Sequence, residues 1–178
     1  MHDKLQILAS LNSEYDPEQH WTSKYRSQAG YSEYRETEPP AATFTFPDPQ
    51  CIFTYTLALG GHNEANRWNA SPPTYHVEVK ASSDGRLSDF HLDNVQFERV
   101  RMPDDRCRSF TKHHNQARRY TAIGKECEEV RDISILVWVY QKDGKLQLDF
   151  IPDPWSKFVA GKLDLTAVNG FIGSIRDL

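Results

Sequence analysis

Pro73-Thr74-Tyr75-His76-Val77-Glu78-Val79-Lys80 reads as a β-strand, entered through two prolines and left through Ser82-Ser83-Asp84-Gly85. Tyrosine and two valines favour a pleated, half-buried surface. Residues two apart on a strand share a face, so His76, Glu78 and Lys80 project together. Glu78 and Lys80 are then about 6–7 Å apart along the backbone. A carboxylate and an ammonium held side by side can bind a divalent cation and orient a water. The plainer alternative is a charged pair on the solvent side of an edge strand. Spacing alone does not choose between them. Asp143-Gly144-Lys145 matches the same acid-x-Lys pattern, yet it falls in a turn where no site would form.

On the amino-terminal side, residues 3–12 carry Leu5, Ile7, Leu8 and Leu11 at near-helical spacing. Asp16 with Pro17 and Gln19 predicts a capped second helix, running through Trp21 and Tyr25 to Ser27 and stopping near Gly30. Thr43-Phe44-Thr45-Phe46 alternates as a strand, Pro47-Asp48-Pro49-Gln50 breaks it, and Cys51 to Leu57 reads as a second strand closing a hairpin. With the Glu78 strand third, the three form a meander. Gly60-Gly61 is a turn, followed by one helical turn from Glu64 to Trp68.

On the carboxy-terminal side, Asp93 or Asn94 caps a helix bearing Val95, Phe97 and Val100, with Gln96 and Arg99 on another face and Met102-Pro103 as its stop. Residues 103–130 are a charged connection with a helix near 112–120. Ile133 to Tyr140 is nearly continuous apolar sequence, the pattern of a central strand buried on both faces. Asp143-Gly144 predicts a type I′ hairpin returning through Leu146 to Ile151. Pro152-Asp153-Pro154-Trp155 leads into a helical turn and then Lys162-Leu163-Asp164-Leu165. Together these elements predict a mixed α/β (α+β) sheet flanked by helices.

The 178 residues form one expected domain, large enough to bury a core without staples. Cys51, Cys107 and Cys127 are odd in number and far apart, which argues against a disulfide frame or a zinc site of usual spacing and for an intracellular setting. No apolar run approaches the roughly 18 residues that cross a bilayer, and Met1-His2-Asp3-Lys4 lacks the form of a signal peptide. Net charge is −4, but Arg99 to Arg119 holds seven Lys/Arg against Asp104 and Asp105. Such a basic cluster on an acidic chain is either an anion-binding face or a solvated loop.

Tyr75-His76-Val77-Glu78-Val79-Lys80-Ala81-Ser82-Ser83, followed by Phe90-His91-Leu92-Asp93-Asn94-Val95-Gln96-Phe97-Glu98-Arg99, resembles the NO VEIN carboxy-terminal type of domain. That family belongs to the PD-(D/E)xK, restriction-endonuclease-like superfamily. His20-Trp21-Thr22-Ser23, the Thr43–Leu57 stretch and Asp153-Pro154-Trp155 with Gly161-Lys162-Leu163 extend the similarity over about residues 15–168. The resemblance implies a restriction-endonuclease-like fold with Glu-x-Lys on the third strand of a β-meander. It also implies Mg²⁺ as cofactor and nucleic acid as partner.

In that scheme Glu78 and a second acid hold the metal, Lys80 assists the attacking water, and Gln96 supports it. Arg99, Arg106, Arg108, Lys112, Arg118 and Arg119 would meet phosphates. Hard carboxylate oxygens suit Mg²⁺ and a nearby ammonium suits developing phosphate charge. The departure is at the first acid, whose place is taken by Thr43. Asp48 and Glu38 are the nearest substitutes, and Asp48 is the expected second metal ligand. Two functions stay open: Mg²⁺-dependent phosphodiester hydrolysis, or a catalytically inactive pseudo-nuclease used for protein contacts or scaffolding.

Overall fold

The computed structural model describes residues 15–34, 42–70, 72–82, 89–101, 132–168 and 170–175. The amino-terminal helix expected over 3–12, the connection 103–130 and Glu38 lie outside them.

A four-stranded mixed sheet carries the site. Its strands are β1 (Phe44–Pro47), β2 (Thr74–Ser82), β4 (Asp132–Lys142) and β5 (Lys145–Pro152), in the order β1-β2-β4-β5. β1 and β2 are antiparallel, β2 and β4 parallel, β4 and β5 antiparallel. A smaller antiparallel sheet has the order β3-β7-β6, built from β3 (Phe90–Leu92), β6 (Leu163–Val168) and β7 (Gly170–Ile175). No helix among the described residues is long and apolar enough to cross a membrane.

The expected meander is replaced by a different connection. Cys51–Leu57 does not pair as a strand; it belongs to helix α2 (Ile52–Leu59). Its aromatic and threonine content favours strand, but the Asp48 carboxylate gathers the first helical N–H groups and sets the helix instead. A 3-10 segment, Asn63–Ala70, then returns the chain to β2. β2 is therefore not an edge strand: β1 lies on one side and β4 on the other. The expected second helix is also divided. α1 (Pro17–His20) is capped by Asp16, Trp21 leaves helical geometry to bridge Phe44, and Ser23 starts a 3-10 segment, Lys24–Ala29, ended by left-handed Gly30.

Side-chain alternation along the sheet builds two cores. On one face Phe44, Phe46, Tyr75, Val77, Ile133, Ile135 and Val137 pack under α2. On the other, Leu136, Trp138, Tyr140 and Ile151 meet Phe90, Leu92, Leu163 and helix α3 (Asn94–Arg101) through Val100 and Phe97. β4 is buried on both faces from Ile133 to Trp138, as its continuous apolar run requires. Helix α4 (Pro154–Val159), capped by Asp153, joins the hairpin to β6.

Candidate functional site: a Glu–Lys–Gln cluster on the central sheet

The odd residues of β2, Tyr75 and Val77, enter the first core, so His76, Glu78 and Lys80 take the opposite face. Register places Glu78 beside Leu136 and Lys80 beside Trp138 on the parallel neighbour. On the antiparallel side, Phe44 pairs with Val77 and the Thr43 amide donates to the Val77 carbonyl at 2.9 Å, which brings Thr43 alongside Glu78. Glu78 is 8 % exposed.

α3 supplies the cover. Asp93 Oδ1 accepts from the Gln96 amide at 2.8 Å, while Gln96 Oε1 accepts from the Asp93 amide at 3.1 Å, a reciprocal capping box that holds the helix start. The box leaves the Gln96 side chain aimed at β2. Its Nε2 donates to Glu78 Oε1 at 2.7 Å, and its Oε1 accepts from Lys80 Nζ at 2.8 Å. Lys80 Nζ lies 3.0 Å from Glu78 Oε1, which closes a three-membered ring of contacts. The second carboxylate oxygen, Oε2, accepts from Thr43 Oγ1 at 3.3 Å, and Thr43 Oγ1 accepts from the Val79 amide at 3.2 Å.

Burial pushes the Glu78 carboxyl above the usual carboxylate range. The Lys80 ammonium and the Thr43 hydroxyl pull it back only in part, and the Asp93 charge adds to the rise. An anion that meets one ammonium, one amide and one hydroxyl has three of its roughly four lone-pair sites engaged within the protein.

The other expected site residues fall elsewhere. Asp48 is 1 % exposed and lies at the far end of the strand pair, its amide bonded to the Pro73 carbonyl. Glu78 is five positions along the chain from Pro73, about 16 Å of strand. Its Oδ1 accepts from the Ile52 and Phe53 amides at 2.9 and 3.3 Å; its Oδ2 accepts from the Thr54 amide and hydroxyl, both at 2.8 Å. Thr54 Oγ1 in turn meets the Tyr75 hydroxyl at 2.6 Å. Asp48 is a buried helix cap and does not reach the Glu78 cluster, which corrects its expected pairing with Glu78 around a metal. Arg99 lies on α3, and its side chain is outside the description, as are Arg106, Arg108, Lys112, Arg118 and Arg119. Among the described residues no three His, Cys, Asp or Glu side chains converge as a metal site.

Sequence reading missed one group on this face. His76 Nε2 lies 2.9 Å from Asp132 Oδ1, and its Nδ1 lies 3.3 Å from Thr45 Oγ1. The strand parity that put His76 with Glu78 was legible; Asp132, 56 residues further on, required the β2–β4 register.

The fold and cluster thus define a mixed α/β protein with one buried carboxylate braced by lysine, glutamine and threonine. No protein-family model, curated protein or solved structure matches the chain.

Proposed function

We propose that this is a restriction-endonuclease-like domain in which the Glu-Val-Lys framework persists as an internal latch, and that it works as a protein-interaction or scaffolding module. The observation carrying this reading is the hydroxyl of Thr43, where hydrolysis would call for a second carboxylate beside Glu78. Mg²⁺ is bound in proteins through one or more carboxylates with waters in near-ideal octahedral geometry. This donor set does not fit that need. Its single carboxylate is buried, held above the usual carboxylate range by that burial, and already bonded on both oxygens. What it can do is fix α3 to β2: Lys80 neutralises Glu78, and Gln96 ties both to the helix cap.

The second reading is Mg²⁺-dependent phosphodiester hydrolysis in a nucleic-acid role, favoured by the convergence of Lys80 and Gln96 on Glu78. Incubating the full chain with supercoiled plasmid, single-stranded DNA and RNA in Mg²⁺ or Mn²⁺ separates the two. The latch reading expects no cleavage above that of Glu78→Ala and Lys80→Ala preparations. Cleavage abolished by both substitutions would establish the hydrolase.

A further inference from the structure

Among the described residues, β5 closes one side of the main sheet with no strand beyond it. Such an edge is a template for another chain unless it is short, charged or covered. β5 is eight residues long, and Leu146 near its start is 76 % exposed. The β4–β5 turn also sets Lys142 directly opposite Lys145, an unfavourable like-charge pair.

The outer hydrogen-bonding pattern follows from the turn. Asp143 and Gly144 both have positive φ, 52° and 73°, as a two-residue type I′ turn requires. Lys142 and Lys145 are then a hydrogen-bonded pair, and bonded pairs alternate along the ladder. Residues 145, 147 and 149 direct their backbone groups toward β4, while 146, 148 and 150 direct theirs outward. A second strand must therefore bond to Leu146, Leu148 and Phe150.

We propose that β5 pairs with β5 of a second copy of this chain, antiparallel about a two-fold axis at Gln147. In that register Leu146 of each copy forms hydrogen-bonded pairs with Leu148 of the other. Lys145 falls opposite Asp149, and Gln147 opposite Gln147. The charge pairs occupy non-hydrogen-bonded positions, where facing side chains come closest. Shifting the register by two residues either way keeps the hydrogen bonds but loses both charge pairs. A two-fold interface requires this reciprocity, residue i meeting j and j meeting i. The main sheet would become eight-stranded, and Lys145 would gain a carboxylate to offset Lys142. This pairing goes beyond the latch and does not depend on the Glu78 cluster.

One strand pair is a small interface, so the expected dissociation constant is on the order of 10–100 µM. Sedimentation velocity of the full chain across that range tests it. Wild type should shift from monomer to dimer. Lys145→Asp and Asp149→Lys should each weaken association by about tenfold, and the double swap should recover most of it. Leu146→Pro removes an outward N–H without touching the β4–β5 ladder, so it should abolish dimerisation with an unchanged circular dichroism spectrum. Because Asp149 also accepts from Tyr140 at 3.4 Å, Lys145→Asp and Leu146→Pro decide the question if Asp149→Lys fails to fold. A wild type that stays monomeric, an unaffected Leu146→Pro, or a folded double swap that recovers nothing would overturn the proposal.

Discussion

Glu78 and Lys80 hold the account together at the residue scale. Both are mostly buried, and removing one partner of a buried pair costs more than removing both. Lys80→Ala is expected to destabilise the fold by about 2–4 kcal/mol, and a Glu78→Gln, Lys80→Met double variant to recover most of that loss; urea unfolding at neutral pH measures both. The pH dependence follows from the raised Glu78 carboxyl. The native state holds the proton to higher pH than the unfolded chain does. This group's contribution to stability is therefore greatest below the unfolded carboxylate pKa and falls as pH rises through the folded value. Glu78→Gln should lack that fall, so its stability relative to wild type should improve from pH 4 to pH 7. A difference that stays flat over that range would contradict the assigned shift. Asp48 behaves differently. Asp48→Ala strips four hydrogen bonds from the α2 start. It should cost about 2–4 kcal/mol in the same assay, with no effect on any ligand of the Glu78 face.

At the scale of elements, local chemistry was legible wherever a cap, a turn or an unbroken apolar run dominated. Asp16-Pro17, Asp143-Gly144, Asp153-Pro154 and the Ile133–Tyr140 run all mark what the chain forms. Cys51–Leu57 misled because its aromatic and threonine residues favour strand, while one buried aspartate three residues earlier decides for helix. β7 carries two glycines and little polar–apolar alternation, so nothing local announced it. One of those glycines is structural: a Cβ on Gly173 would lie 2.3 Å from the Phe90 ring. Phe90 is buried and packs on Trp138 with ring centroids 5.3 Å apart, so it has little room to yield. Gly173→Ala should therefore loosen the β3–β7 pairing and cost about 1–3 kcal/mol, read by thermal unfolding. Faster amide exchange in β3 than in β4 would accompany it.

For the molecule as a whole, the class of fold was readable and the order of its strands was not. Alternation within β2 put His76, Glu78 and Lys80 on one face, and Asp93-Asn94-Val95-Gln96 announced the helix whose Gln96 meets Glu78 and Lys80. The parallel pairing of β2 with β4 joins residues more than fifty positions apart. Non-local register of that kind leaves no periodic trace in the chain. The same register turns an apparent surface pair into a buried one, with Leu136 and Trp138 beside it. The antiparallel pairing of β1 with β2 sets Thr43 rather than Asp48 against Glu78. Titration of the wild-type chain and of Thr43→Asp with Mn²⁺, followed by the loss of the free-ion paramagnetic signal, tests the latch reading most directly. The latch account predicts that the wild type takes up no ion that depends on Glu78, and that Thr43→Asp gains one site that Glu78→Ala removes. A wild-type site lost on Glu78→Ala, bound as tightly as that in Thr43→Asp, would contradict it.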